Sequence, residues 1–528
     1  MQIRKFTIDN HRCLVDFEIN FETMDGGSST ILIGENGTGK STMMESLLEI
    51  MMSFDSNAVE KTIDYNYTLE YVHAGQECKI ECAARRYTVY VDEIRLAGTM
   101  GTIRGALRRA QKTIFPERVM YSYSGKNDRL KDARKNINSR YLSKCRDALK
   151  GYGTIIRTGV DGEYMHFPKR RFNYCDDALT PVFLAAILGG QDSLEKEYLH
   201  KNSNFSAIDH ISLSVDMDEM LLRFGIYERV DEINESVYSV FEYMNADLCD
   251  FLRRSYEYSA MGRAYFGLGS IEELGLNAIE IYNFFEKLQS LFKAEIEVSV
   301  SYGNESVKCT EMSEGQRQFI KVLGMLGLCK SEDCIVFMDE PDAHMNPRWK
   351  YDLKSTIDAC LTDAVNTQAI IATHDPLVIN GVDKEFIRIF TQNQSVAQYN
   401  NMYITKVIEP SEDTTGMGID GLLQSEYYGM PSVLDANTRE KLHEKYDLVV
   451  KKQEQRLDKN EAARLKALTE ELESMTFARN LPTDEYYDEF VAAMHKIYRN
   501  NRAENLTAEA IEERNTKAEE ILREIFGI

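Results

Sequence analysis

Residues 34–41 read Gly-Glu-Asn-Gly-Thr-Gly-Lys-Ser and satisfy the spacing G-x-x-x-x-G-K-S/T in full. The apolar run Ile31-Leu32-Ile33 precedes them, and Ser41-Thr42-Met43-Met44-Glu45-Ser46-Leu47-Leu48 follows. The order predicts a strand, a glycine-rich loop and a helix, the setting such a loop needs to bind phosphate. Its glycines let successive backbone N–H groups turn inward on phosphate oxygens at a helix N-terminus. Asn36, Gly37, Thr38, Gly39, Lys40, Ser41 and Thr42 are therefore candidate nucleotide contacts. Lys40 can reach the β- and γ-phosphates, and the Ser41 hydroxyl can ligand Mg²⁺.

A second apolar strand, Ile335-Val336-Phe337-Met338, delivers Asp339 and Glu340 at its carboxyl end. Ligands collect at that end of parallel strands. Asp339 is the candidate second Mg²⁺ ligand, and Glu340 the candidate base for an attacking water. Upstream, Ser313 and Gln316 have the S-x-x-Q spacing of a capping box, which predicts a helix from there to about Cys329. Its N-terminus offers N–H donors to an anion. Downstream, Ile370-Ile371-Ala372-Thr373-His374-Asp375 is a strand ending in a histidine.

These four motifs, in this order, resemble the ABC-type ATPases, within them the head-domain branch that includes SMC, RecF and OLD-like proteins. The opening Ile3-Arg4-Lys5-Phe6-Thr7-Ile8-Asp9-Asn10-His11-Arg12 and the run Asp339-Glu340-Pro341-Asp342-Ala343-His344-Met345-Asn346-Pro347 carry the same resemblance. It covers roughly residues 1–95 and 294–392. It implies an α/β fold: a P-loop ATPase head with a mixed sheet core, a helical insertion and a helical C-terminal extension. It also implies that His374 is the switch histidine contacting the γ-phosphate. Ser313, Gly315 and Gln316 are then the signature, which faces the nucleotide on a second copy's Lys40, Ser41, Asp339, Glu340 and His374. One chain has one of each motif, so a twofold dimer is the minimum assembly. ATP and Mg²⁺ are the expected substrate and cofactor.

The tail narrows the resemblance. Glu409-Pro410-Ser411-Glu412-Asp413, the run Gly421-Leu422-Leu423-Gln424-Ser425-Glu426-Tyr427-Tyr428-Gly429-Met430-Pro431-Ser432 and a charged helical stretch beyond look like the ATPase subunit of Septu-type anti-phage defence systems. That group includes ATPases accompanying retrons. It implies a separately encoded HNH nuclease partner and, in a retron setting, a reverse transcriptase with its nucleic acid. A Toprim nuclease would need a D-x-D on a later strand. Residues 436–528 read as helical and have none, so cutting is assigned to a partner.

With 528 residues the chain exceeds one core. The expected division is an N-terminal lobe of the head (1–103), a basic then helical insertion (104–293), a C-terminal lobe (294–400) and a helical partner or oligomerisation region (401–528). Strand runs are expected at 67–72, 77–83 and 87–94, a core strand within 114–123, and mostly helix over 176–292. An amphipathic hairpin is expected at 438–475, with further helices near 484–498 and 507–526. Scattered cysteines without metal-site spacing, and no long apolar span, read as reduced thiols in a cytoplasmic protein.

The net charge of −23 argues against a general nucleic-acid coat, yet it is uneven. Residues 104–171 hold 18 Lys/Arg against 6 Asp/Glu, so the other 460 residues carry −35. Arg104, Arg108, Arg109, Lys112, Lys126, Arg129, Lys131, Arg134 and Lys135, with Tyr121, Tyr123 and Tyr141 among them, mark a candidate surface for nucleic acid or an acidic partner. The usual Q-loop glutamine is not identifiable; Tyr121-Ser122-Tyr123-Ser124-Gly125 occupies its approximate place. Two other readings stay open: a RecF-like DNA-repair head without a nuclease, and a scaffold that retains ATP with negligible turnover.

Overall fold

The computed structural model describes residues 1–528 apart from 25, 56–62, 111–112, 124–129, 159–165, 226–231, 331–332, 395–402, 431, 454, 476–489, 491–492, 495–496, 498–507 and 527–528. The chain divides into one unit of residues 1–379 with 385–409, and another of residues 380–384 with 410–528.

The first unit is α/β and is built on a seven-stranded sheet. Its strands run Tyr403–Ile408, Ile387–Gln394, Gly27–Ile33, Thr367–Ala372, Cys334–Asp339, Arg118–Tyr123 and Phe172–Tyr174. Neighbours are parallel except Tyr403–Ile408, which pairs antiparallel at the edge. Every residue of Cys334–Asp339 and Thr367–Ala372 is buried, which accounts for their unbroken apolar runs: parallel strands are covered on both faces. Register aligns Ala372 with Leu32 and with Asp339. The carboxyl ends of the three motif-bearing strands therefore lie level, and the loops after them emerge at one edge. The core sheet takes Arg118–Tyr123 and Phe172–Tyr174 from the segment expected to be an insertion.

A six-stranded antiparallel sheet covers the helix Lys40–Phe54. It runs Leu14–Asn20, Gln2–His11, Tyr67–His73, Gln76–Ala83, Arg86–Val91 and Ile94–Gly98. Alternation selects its inner face: Leu69, Tyr71, Ile80, Cys82, Tyr87 and Val89 are buried, and they share one core with Met43, Leu47, Met51 and Phe54 of the helix. The strand runs expected at 67–94 are present, with a fourth strand beyond them.

The expectation of mostly helix over 176–292 holds, but three strands that it did not include interrupt the helices. Helices do occupy Thr180–Gly189, Leu194–Ser203, Met217–Phe224, Glu235–Met244, Ala246–Arg254 and Ala278–Phe292. Between them, Phe205–Asp216 and the hairpin Tyr256–Ala260/Arg263–Leu268 are strands. They join Glu295–Tyr302 and Glu305–Lys308 in a five-stranded antiparallel sheet. Phe205–Asp216 places Ile211, Leu213 and Val215 at a period of two, with Ile211 and Leu213 opposite Val298 and Ile296 of the neighbouring strand. That pairing, distant in sequence, overrides weak local preference.

In the second unit, Ala436–Gln453 and Lys459–Glu473 form the expected helical hairpin, burying Leu448, Leu468 and Leu472. Asp458 and Glu461 make a capping box, and Arg464 pairs with Glu444 at 2.7 Å. A helix spans Ala508–Phe526, and the one expected near 484–498 falls largely outside the described residues. No described helix is long and apolar enough to cross a membrane.

Candidate nucleotide-binding site

The phosphate loop has the shape its glycines permit. Gly34, Gly37 and Gly39 have φ of 142°, 86° and 102°, a region that side chains disfavour. A Cβ on Gly37 would meet nothing within 4 Å, whereas one on Gly34 would lie 2.1 Å from Phe390 O, so the loop is open at its tip and packed at its base. Lys40 is 8% exposed, and its ammonium donates to the carbonyls of Gly34 (2.7 Å) and Glu35 (3.0 Å). Burial pulls its pKa down, while Asp339, Glu340 and Glu35 push the other way. Asn36 is exposed at the loop tip, and Thr42 is buried in the first helical turn.

Ser41 Oγ donates to Asp339 Oδ2 at 2.8 Å. Two residues 298 positions apart thus present a hydroxyl and a carboxylate together. No group of three or more His, Cys, Asp or Glu side chains able to hold a metal occurs among the described residues. A two-ligand site suits Mg²⁺, which keeps waters and phosphate oxygens in its shell. Burial pushes the Asp339 carboxyl up to about 6, against the Ser41 hydrogen bond and aided by the neighbouring Glu340.

That shift has a stability consequence. An unfolded aspartate ionises near ~3.9, so the folded state holds the proton to higher pH. Stability from this group is present at low pH and is lost as pH rises from about 4 to about 6. Asp339→Asn removes the charge and keeps an acceptor for Ser41. The nucleotide-free variant should gain on the order of 3 kcal/mol at pH 7. Thermal melts across pH 4–7 check this: the gain should vanish by about pH 4.

Glu340 has φ of 53°, a strained value for a non-glycine residue, and its N–H donates to Ala372 O at 2.8 Å. That bond ties the acidic strand's exit to the next strand. His374 lies two residues past Ala372, with its Nδ1 3.3 Å from Glu340 Oε1. Both side chains are partly exposed at the same edge as the phosphate loop. The structure thus brings together Lys40, Ser41, Asp339, Glu340 and His374.

The helix start expected at Ser313 is present. Ser313 Oγ accepts from Gln316 N at 3.2 Å, Gln316 Oε1 accepts from Ser313 N at 2.9 Å, and the helix spans Glu314–Gly327. Gly315 has a packing role that sequence did not suggest. A Cβ there would lie 2.5 Å from the carbonyl oxygen of His344, so only hydrogen fits between this helix and the loop after Glu340. No hydrogen bond or ion pair among the described residues joins Ser313, Gly315 or Gln316 to residues 34–42 of the same chain.

Tyr123 is register-paired with Asp339, so Ser122 and Tyr123 stand beside the acidic strand, where a Q-loop residue is expected. Together with Tyr121 they line a small cavity shared with Ser41, Glu45 and Asp339. Sequence reasoning also missed Thr405 and Gln392, whose side chains donate to loop carbonyls from an edge hairpin more than 350 residues away. No local pattern marks either residue.

The basic set divides. The Arg104 guanidinium donates to Ser53 O, and that of Arg134 lies 3.9 Å over the Tyr174 ring, so both serve the fold. Arg108, Arg109, Lys131 and Lys135 are exposed. Lys112, Lys126 and Arg129 lie outside the described residues. The helix Lys131–Thr158 also exposes Arg140, Lys144, Arg146 and Lys150, while Ile137, Tyr141, Cys145 and Leu149 face inward.

Residues 1–174 match the family described as AAA ATPase domain, and residues 191–380 match the AAA domain, putative AbiEii toxin, Type IV TA system. The chain is 27% identical over 173 residues to the Septu protein PtuA of Bacillus mycoides (strain KBAB4), a stretch covering 30% of this chain and 23% of that protein. Among solved structures, the SMC head bound to the C-winged helix domain of ScpA aligns at TM-score 0.36 and 10% identity, covering 77% of this chain and 98% of that one. The SMC head domain from Thermotoga maritima aligns at 0.32 and 9%, covering 78% and 100%. At scores this low the architecture rests on the sheet order and motif geometry above. The chain thus carries matches to AAA-type ATPase domains, and over 173 residues it resembles the Septu protein PtuA.

Proposed function

We propose that this protein hydrolyses ATP at a site shared by two copies of itself, and that the nucleotide state of the pair controls a separately encoded HNH nuclease in anti-phage defence. The observation that carries the reading is the level edge where Ser41 meets Asp339 at 2.8 Å and Glu340 meets His374 at 3.3 Å beside the phosphate loop. Ser41 and Asp339 would hold Mg²⁺, which would neutralise charge developing on the phosphates. Lys40 and the N–H groups of residues 37–42 bind the phosphates. Glu340 takes a proton from the attacking water, and His374 contacts the γ-phosphate. Ser313, Gly315 and Gln316 of a second copy close the site from the opposite side.

The partner assignment draws on the Septu likeness. Co-expression with the products of the neighbouring genes tests it: an HNH protein among them, in a complex whose yield or mass changes with ATP, is expected. Its absence under every nucleotide condition overturns the partner reading and leaves the ATPase reading standing. The exposed cations along Lys131–Thr158 favour a second reading, a RecF-like head on DNA. DNA-stimulated turnover by the isolated protein would decide for it.

A further inference from the structure

A phosphate loop can turn its N–H groups inward only if neighbouring carbonyls turn outward. The trans peptide is planar, so C=O and the following N–H point in opposite directions. Outward carbonyls need donors of their own when water cannot reach them. Here an edge hairpin supplies them. The strand Ile387–Gln394 pairs with the loop's own strand at Ile387↔Ile31, Arg388↔Leu32 and Ile389↔Ile33, then runs on alongside the loop. Tyr403–Ile408 returns antiparallel to it.

Thr405, 2% exposed, points its hydroxyl at the loop, and Oγ1 donates to Thr38 O at 2.8 Å. Its backbone N–H donates to Cys13 O at 2.9 Å, which fixes the strand on the loop's far side. Exposed Gln392 donates through Nε2 to Gly37 O. The fit leaves little room: a Cβ on Gly39 would lie 2.6 Å from Thr405 Oγ1. Anchoring Thr38 O fixes the plane it shares with the Gly39 N–H, and anchoring Gly37 O fixes the plane of the Thr38 N–H, which donates to Glu35 O at 3.4 Å.

We infer that Thr405 is a positioning residue for nucleotide binding, holding the Thr38 carbonyl outward so that the Gly39 N–H faces phosphate, with Gln392 as a weaker companion that steadies the loop through Gly37 O. The inference rests on the nucleotide reading above. Thr405 touches neither Glu340 nor His374 through any described hydrogen bond, so its effect falls on binding, not on the hydrolytic step.

Thr405→Val preserves shape and removes the donor; Thr405→Ser keeps the donor. With the full chain, ATP affinity by calorimetry and KM in phosphate-release assays should weaken about tenfold in Thr405→Val. The kcat should stay within about twofold, the mark of reduced ground-state binding. Thr405→Ser should restore affinity to within about threefold of wild type. Wild-type affinity in Thr405→Val, or equal weakening in the Ser and Val variants, overturns the role. If Thr405→Val does not fold, Gln392→Leu, an exposed change, carries the test: affinity about threefold weaker supports the inference, and unchanged affinity overturns it. A wild-type chain that takes no ATP overturns the nucleotide reading along with this one.

Discussion

Glu340→Gln should lower ATP turnover by at least about 10²-fold while leaving ATP bound. The substitution keeps the side chain's size and removes its ability to accept a proton from water. The backbone bond from Glu340 N to Ala372 O does not involve the carboxyl, so the strained turn is kept. Lys40, Ser41 and Asp339 are untouched, so phosphate binding persists. The variant should accumulate as an ATP-bound dimer because the step that opens it is blocked. Phosphate release and mass by light scattering, each with and without ATP, read the two halves separately. Normal turnover would remove Glu340 from the catalytic role, and a monomer that retains ATP would separate hydrolysis from association.

Lys40→Ala should weaken ATP binding by roughly 10–100-fold, the scale of deleting a charge-assisted hydrogen bond to phosphate at a water-poor site. In the structure the Lys40 ammonium sits on two loop carbonyls, and burial already disfavours its charge. Removing it therefore takes away little that holds the fold, and the melting temperature should change by only a few degrees, on the order of 1 kcal/mol. Calorimetric titration checks the affinity. Binding at wild-type strength would mean that the loop is not the triphosphate site.

The parts of this site that could be read in sequence are those whose chemistry is local. The phosphate loop, the acidic strand end and the Ser313/Gln316 cap each need only residues close together in the chain. Their convergence follows from register: Leu32, Ala372 and Asp339 are level across the sheet, so the following residues meet. What could not be read depends on distant partners. Gly315 looks like any helix glycine until His344 O is found against it. Thr405 looks like any strand threonine until its hydroxyl reaches Thr38 O. The strand Phe205–Asp216, which lies in a stretch that local preference reads as helix, is determined by its pairing with Glu295–Tyr302. The charge pattern likewise shows an excess of cations, but not that Arg104 and Arg134 are committed within the fold.

In the proposed function each site takes its phosphate loop from one copy and its Ser313–Gln316 helix start from another. Mixing two inactive chains tests it most directly. Lys40→Ala lacks a working loop, and Ser313→Arg blocks the signature; each alone should be inactive. In a mixed dimer, the loop of the Ser313→Arg chain faces the intact Ser313 of the Lys40→Ala chain. Equimolar mixing should therefore restore about a quarter of the wild-type ATPase rate, since half the dimers are mixed and each holds one complete site. Activity that stays at background in a mixture shown to contain mixed dimers would contradict the shared site.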